Sequence, residues 1–348
     1  MPMKKLVYKI KRFFWLIAVF IVKIVFAPRI IKAPFFKSLF YNFCGGFTSN
    51  QVALYNLNRK NRKDYLSEFD WYKSRSINYP NSYMLDNKLI CVELIKNYVK
   101  TPETLIEKEN GTITQDNKTL NAEDVLEVIK QKKSVFFKPI SVGKGSGVIR
   151  IDYKNNKFYI DTKETDSNEI ISILNEKDNY FISVCIKQAK YLNEIYSETS
   201  NTIRLITGRG KDNKVKILCA VQRIGTSETI PVDNGSRGGL VANINLDTGE
   251  LSEAKSIHNT NIYEKHPDSN KMIKGTIIPN WKEISKEVLK VSEKLTDLKF
   301  IAWDILPTDD GFFVIEANSS SGVNIIQVFG GQRHKALGNF YREQKIIK

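Results

Sequence analysis

The sequence predicts a chain of the α+β class, with α/β the neighbouring alternative, led by a basic helical segment. Three observations predict it. Short helical and strand-like periodicities alternate from about Lys88 onward, which is the pattern of a mixed enzyme domain. Two pairs of apolar strands, one joined by a glycine-rich turn and one by PTDDG, carry polar residues within otherwise apolar runs. The first 40 residues hold nine Lys/Arg and no Asp/Glu, in a stretch rich in Phe, Ile and Val.

In chain order, the N-terminal run KKLVYKIKRFFWLIAVFIVKIVFAPRIIK has an apolar stretch from Phe13 to Phe26 that Lys23 interrupts, flanked by Lys4, Lys5, Lys9, Lys11, Arg12 and Arg29. A spanning helix needs about 20 apolar residues. A shorter basic helix with Phe and Trp fits an interfacial anchor drawn to anionic lipid. A helix packed on the domain is a second reading, and a signal or spanning segment a third, without a convincing small-residue cleavage site. Residues 49–75 are polar with scattered Leu, Tyr and Trp, which reads as one or two surface helices. A helix over LICVELIKNYVK, a strand over ETLIEK and a turn at Asn110-Gly111 follow. Next come a helix over AEDVLEVIKQ and strands over SVFFKPI, GVIRIDY and KFYID.

At 348 residues, with 42% hydrophobic and 26% charged residues, the chain is long enough to bury a sizeable core in two or three packed units. Cys44, Cys91, Cys185 and Cys219 lie far apart, without zinc-ligand spacing, so a reducing, cytoplasmic compartment is the expectation. Three histidines, His258, His266 and His334, leave little material for a histidine metal site, so the chemistry should rest on carboxylates, lysines and arginines. The net charge of +15 is concentrated at the N-terminus, and the remainder carries 44 basic against 38 acidic residues. No nucleic-acid-binding motif or basic aromatic stripe accompanies it, so anionic small molecules are the expected partners, not nucleic acid.

Two constellations carry chemistry. In SVFFKPISVGKGSGVIRI a strand delivers Lys138, and Gly143, Lys144, Gly145, Ser146 and Gly147 follow. Glycines let successive backbone N–H groups face a polyphosphate, and Lys138 adds a point charge there. An ordinary hairpin turn is the plain alternative. In KFIAWDILPTDDGFFVIEANSSSG, pairing Leu306 with Phe312 would set Asp304 opposite Val314 and diagonal to Glu316, with Asn318 two residues on. Three hard oxygen donors on rigid strands suit magnesium bound with nucleotide phosphates. A solvated hairpin face is the alternative.

From about Asp86 to Gln327 the sequence resembles the ATP-grasp superfamily, and within it the sugar-transfer-associated branch of bacterial polysaccharide biosynthesis. The resemblance rests on Asp86-Asn87-Lys88, Lys138-Pro139 with its glycine loop, Asn201-Thr202-Ile203-Arg204, and Asp233-Asn234 ahead of Gly238-Gly239. Asp247-Thr248-Gly249, His266-Pro267, Pro279-Asn280-Trp281, Trp303-Asp304, Glu316-Ala317-Asn318 and Gln327 continue it. It implies two α+β subdomains clamping ATP, with a segmentation of 1–40 (basic, apolar, a membrane-surface helix candidate), 41–85 (helical), 86–190 (glycine-loop subdomain), 191–335 (metal and substrate subdomain) and 336–348 (tail). Lys88, Lys138 and the glycine loop would hold the phosphates, and Asp304, Glu316 and Asn318 the Mg2+. Arg204 would meet the transferred phosphoryl group, assisted by Asn201. The family's adenine hinge usually has an acidic residue where this chain reads FISVCIKQ, so adenine contacts fall to backbone groups at Val184, Cys185 and Ile186, with Gln188 or Tyr191 replacing the ribose contact.

The acceptor pocket is expected among Arg204, Asp233, Asn234, Arg237 and Gly238. Plain readings stand beside these: Arg204 and Arg237 as surface ion-pair partners, Lys88 as an exposed helix-start lysine, and Asp233-Asn234 as turn formers. His266 reads as structural, and Gln327 is a weak candidate. The expected reaction is ATP-dependent ligation of a carboxylate, a hexuronic acid by resemblance, to an amine through an acyl phosphate. A sugar or polyol kinase with Asp233 as base, and a non-catalytic nucleotide-binding scaffold at the membrane, are the alternatives. The expected place is the cytoplasm, with peripheral contact of residues 1–30 on the inner face of the membrane.

Overall fold

The computed structural model describes residues 3–142 and 146–348. The leading helix α1 (Met3–Val19) runs into a π-helical turn, Phe20–Val25, and is followed by α2 (Phe35–Gly45), α3 (Ser49–Leu54), α4 (Glu68–Ser74), α5 (Tyr83–Asp86) and α6 (Lys88–Ile95). Local capping explains several starts. Thr48 with Gln51, and Ser67 with Asp70, form reciprocal capping boxes, and Asn87 accepts the Leu89 and Ile90 N–H groups at α6.

Two antiparallel sheets follow. The first contains β1 (Thr104–Glu109), β2 (Thr112–Gln115), β3 (Lys118–Leu120), β4 (Ser134–Pro139), β5 (Ile149–Lys154), β6 (Lys157–Ile160), β7 (Lys163–Thr165) and β8 (Tyr180–Val184). Their order is β3-β2-β1-β8-β4-β5-β6-β7. Asn110 and Gly111 both take positive φ at the β1–β2 turn, as the Asn-Gly pair predicts. Helices α7 (Ala122–Lys132) and α8 (Ser167–Glu176) cover one face, where Val125, Ile129, Ile170 and Leu174 pack with Val135, Phe137, Ile151 and Ile182. Strand alternation sends Phe136, Lys138, Phe181 and Ser183 to the opposite face, and all four are buried.

After α9 (Lys190–Ile195), the second sheet is built from β9 (Ile203–Arg209), β10 (Val215–Ile224), β11 (Leu240–Ile244), β12 (Leu251–Ser256), β13 (Ile262–Tyr263), β14 (Phe300–Thr308) and β15 (Gly311–Asn318), in the order β13-β12-β11-β10-β9-β14-β15. One face packs Leu205, Trp303 and Ile305 against α10 (Trp281–Lys294), whose Trp281, Ile284, Val288 and Val291 form its buried stripe. The other face packs Ile206, Val221, Phe300 and Ala302 with residues of α11 (Asn324–Gln327) and α12 (Ala336–Glu343).

Four expectations change. Residues 336–348 are not a tail, because Leu337, Phe340, Tyr341 and Ile347 are buried in that second core. Residues 86–95, assigned to the 86–190 subdomain, pack on the second sheet: Cys91 and Ile95 share the core of Leu205 and Trp303. The 49–75 region is not a surface pair, since Gln51, Leu57 and Leu66 are fully buried. The fourth concerns the β14–β15 register. Leu306 pairs with Phe313 and not Phe312, and a bulge at Ile315 sets Asp304 directly opposite Glu316 and not Val314.

Candidate functional site

The β14–β15 register puts Asp304 and Glu316 on the sheet face that also bears Arg204 of β9 and Arg223 of β10. Asp304 is the hub. Its Oδ1 accepts from Arg204 Nε at 2.6 Å, and its Oδ2 accepts from Arg204 Nη2 at 3.1 Å and Arg223 Nη1 at 3.4 Å. Arg204 Nη1 also donates to Ser321 Oγ at 3.2 Å, and Arg223 Nη2 donates to Asp233 Oδ1 at 2.5 Å. Both arginines are thus held in a charge-assisted network, Arg204 bidentate on Asp304, and not as surface pairs.

The electrostatics follow from burial and these partners. Burial alone would raise the Asp304 carboxyl, but Arg204 and Arg223 hold it below its usual range. Glu316 goes the other way: burial and the facing Asp304 charge raise it, against the pull of Lys88. Burial works against a charged Arg223, yet Asp233 and Asp304 outweigh it and hold the guanidinium above its ordinary value.

Lys88 opens α6, and its Nζ lies 4.0 Å from a Glu316 oxygen while donating to the Val142 carbonyl at 2.7 Å. Its backbone N–H donates to Ile140 O, so α6 is stitched to the segment leaving β4. The lysine is not an exposed helix-start residue: its side chain is 12% exposed. Lys138 is buried, with Nζ 5.0 Å from the centroid of the Phe136 ring. Burial pushes it down to about 8, Glu316 and Cys185 work to keep it charged, and Lys88 adds to the lowering.

Divalent-cation fit rests on the donor set. Asn318 turns its amide nitrogen onto Glu316 Oε1 at 3.1 Å and Ala302 O at 3.5 Å, which leaves its oxygen unspent on these contacts. Glu316, raised by burial and then by the facing Asp304 charge, suits a hard cation together with the Asn318 amide oxygen, and Asp304 can add the one acceptor site on Oδ1 that Arg204 and Arg223 leave open. Among the described residues no group of three or more His, Cys, Asp or Glu forms a cage, so further ligands would have to come from phosphate oxygens or water.

Several predicted residues have other work. Asn201 is fully buried and spends both amide hydrogens on Gln188 Oε1 and Tyr196 O, while its oxygen accepts from Thr199 Oγ1 and the Gly225 N–H. It positions the loop before β9 and has no group left for a substrate. Gln188 is equally committed, to Asn193, Tyr196, Thr199 and Asn201, whereas Tyr191 donates to Gln222 and keeps its oxygen as an acceptor. Asp233 accepts from the Thr202 N–H and hydroxyl through Oδ2 and from Arg223 through Oδ1. Asn234 caps a short turn at Ser236, Arg237 is exposed, and Gly238 takes a positive φ. His266 donates its Nε2–H to Gly225 O, accepts the Asp268 and Ser269 N–H groups at Nδ1 and stacks on Tyr196, a structural role. Gln327 is fully buried between Leu66 and Gln332, which makes it structural too.

At the expected hinge, the Val184 N–H goes to Glu103 O and the Cys185 N–H to Ser134 O, so only carbonyls and the Ile186 N–H remain for a base. Gly143, Lys144 and Gly145 lie outside the described residues. Ser146 and Gly147 form a turn, where Gly147 has φ 75° and a Cβ would meet the Tyr180 hydroxyl at 2.6 Å. Sequence reasoning missed Arg223 and Ser321. Arg223 carried the same signal as Asp304, a charged residue within an apolar strand; Ser321 carried none.

The sequence model of the sugar-transfer associated ATP-grasp family matches residues 69–338. No curated protein matches the chain. Solved structures that resemble it include the ATP-grasp ligase PsnB complexed with a minimal precursor, at 12% identity over 78% of this chain and 64% of that one, TM-score 0.41. The RimK domain protein ATP-grasp of Sphaerobacter thermophilus has 11% identity over 76% and 69%, TM-score 0.41. The N5-carboxyaminoimidazole synthetase of Staphylococcus aureus has 10% identity over 74% and 51%, TM-score 0.41. The chain thus spans less than two thirds of the PsnB length and about half of the synthetase.

Proposed function

The chain belongs to the sugar-transfer-associated ATP-grasp family, and from that premise we propose that it is an ATP- and Mg2+-dependent ligase joining a carboxylate to an amine. The observation that carries this reading is the Arg204–Asp304–Arg223 network with Glu316, Asn318 and Lys88 beside it. A cluster of fixed cations and hard oxygen donors is what phosphoryl transfer needs, since its catalysis is mostly positioning and charge stabilisation. In this reading Lys88, Lys138 and the 143–147 loop hold the polyphosphate. Asp304, Glu316 and Asn318 would hold Mg2+, whose charge would neutralise the phosphates.

Arg204, oriented by Asp304 and Ser321, stabilises the transferring phosphoryl group. The substrate carboxylate oxygen attacks the γ-phosphorus, the bond to the β,γ-bridging oxygen breaks and ADP leaves. The amine then attacks the acyl carbon, loses a proton, and inorganic phosphate departs. No nucleophilic side chain is required. The kinase alternative would need Asp233 as base, and that carboxylate already orients Thr202 and pairs with Arg223.

The carboxylate we propose is a hexuronic acid unit of capsular or other surface polysaccharide, nucleotide- or lipid-linked, and the amine an amino acid or amino alcohol. The described residues contain no helix long and apolar enough to cross a membrane, and we place residues 1–30 in peripheral contact with the inner face of the cytoplasmic membrane. The test is release of ADP and phosphate from MgATP across pairs of uronic-acid donors and amines. Equal release that needs both partners supports the ligase. ADP without phosphate would replace it with a kinase.

A further inference from the structure

The second helix, α2, is built inside out. Its buried residues are Ser38, Tyr41 and Asn42, whereas Phe35, Phe36, Leu39, Phe40 and Phe43 face outward on a single stripe at spacings of one, three and four. A helix of a water-facing surface has the reverse arrangement. The inversion is fixed by contacts. Asn42 Nδ2 donates to Phe47 O at 2.6 Å and to Ile24 O at 3.5 Å, which fastens α2 to the π-helical turn after α1.

Helix α1 adds a second apolar stripe to the outside. Tyr8 stacks on Tyr79, Arg12 donates to Lys73 O, Trp15 meets Tyr72 edge-on and Val19 is buried, so this side lies on the body of the protein. Ile10, Phe13, Phe14, Ile17 and Ile21 are left exposed. The two stripes are neighbours, because Phe20 packs edge-on against Phe43 at 5.7 Å.

Six rings on this face, Phe13, Phe14, Phe26, Phe35, Phe36 and Phe43, are 52–83% exposed. Aromatic side chains of about 150–250 Å² each then leave on the order of 800 Å² uncovered. The largest apolar patch of an ordinary monomer is roughly 300–600 Å². Lys9, Lys11, Lys23 and Lys32 are exposed along the same segment, Lys9 and Lys11 flanking the α1 stripe, and the first acidic residue of the chain is Asp64.

We propose that α1, the π-helical turn and α2 form one rigid platform that seats in an anionic lipid surface, with α2 inserting its phenylalanines beside those of α1. This rests on the proposed membrane contact of residues 1–30 and extends it to a second helix. Charge selects the occupant. A bilayer bearing anionic headgroups complements lysines interleaved with apolar side chains. A second copy would bring two basic faces together with no carboxylate between them.

The full-length protein is sedimented with vesicles of phosphatidylcholine alone and with phosphatidylcholine and phosphatidylglycerol at 7:3. Binding to the 7:3 vesicles is expected to exceed neutral binding at least tenfold and to fall in 0.5 M NaCl. The Phe35→Ser/Phe36→Ser/Leu39→Ser variant, changed only at exposed positions, is expected to lose tenfold or more, and tryptophan emission of a Phe36→Trp variant to shift to the blue on adding vesicles. Wild-type binding by the triple variant, alongside loss in Phe13→Ser/Phe14→Ser/Ile17→Ser, overturns the platform and leaves the 1–30 contact standing. No binding by the wild type overturns both. A wild-type dimer that the α2 variant converts to monomer, without vesicle binding, assigns the face to a second copy and overturns the lipid reading.

Discussion

Arg223 is the residue whose removal most directly tests the charge network. Replacing it with Met keeps the stem and removes the guanidinium, so packing is nearly conserved and the charge effect is isolated. Breaking a buried ion pair by deleting one partner costs about 3–5 kcal/mol, because the remaining charge is left without compensation. Here Asp304 keeps its two bonds to Arg204, while Asp233 keeps only the Thr202 N–H and hydroxyl. The loss therefore falls mainly on Asp233, and the lower end, about 3 kcal/mol, is expected.

The assay is urea unfolding followed by both fluorescence and circular dichroism, whose coincidence licenses a two-state free energy. Adding Asp233→Asn to Arg223→Met removes the stranded charge while the new side-chain oxygen still accepts from Thr202. The double variant should recover most of the loss. Stability of Arg223→Met within about 0.5 kcal/mol of wild type, the range of ordinary surface changes, would refute the buried network. A double variant no better than the single would refute the assignment of the loss to Asp233.

Other outcomes follow from the same geometry. Glu316→Ala should reduce Mg2+-dependent ADP release by on the order of 10²-fold or more; near-normal turnover would remove Glu316 from metal binding. Lys138 is charged below its value of about 8 and neutral above it, so nucleotide affinity should fall as pH rises through 8, with proton uptake on binding near that pH. Calorimetry in buffers of different ionisation enthalpy measures the uptake, and none at pH 8 would place Lys138 away from the phosphates. Asn201→Ala should cost about 3 kcal/mol of stability through its stranded partners, while kcat of the folded protein stays within about threefold. A selective kcat collapse would restore the catalytic role expected from sequence.

Much of the fold was legible because apolar periodicity reports element type directly: the helix at Ala122 and the strands around Phe136 and Phe313 follow from it. Three things were not. A bulge leaves no mark on alternation, so the extra residue at Ile315 turned the diagonal expected of Asp304 and Glu316 into a face-to-face pair. Periodicity says which stripe of a helix is apolar but not which way it points, and α2 points its stripe outward. Residue type also cannot separate an active-site amide from a packing amide: Asn201 and Gln188 turned out to hold each other. The charged residues were found where they interrupt apolar strands, as Asp304 and Arg204 do, because a lone charge there demands partners.

The stitching of α6 to the end of β4 has a kinetic side. Helix α6 belongs to the second sheet's core, yet Lys88 reaches across to Val142 O, and Arg150 of β5 reaches back to Glu198 O before β9 at 3.2 Å. Rotating one sheet away from the other would have to break such crossings, each worth only about 1 kcal/mol against water. Gaps of a few kcal/mol leave a minor state at roughly 0.1–10%. Any opening of this seam would fall on the microsecond-to-millisecond scale of hinge motions, and the amide of Lys88, bonded to Ile140 O across it, would report each opening by exchanging its hydrogen.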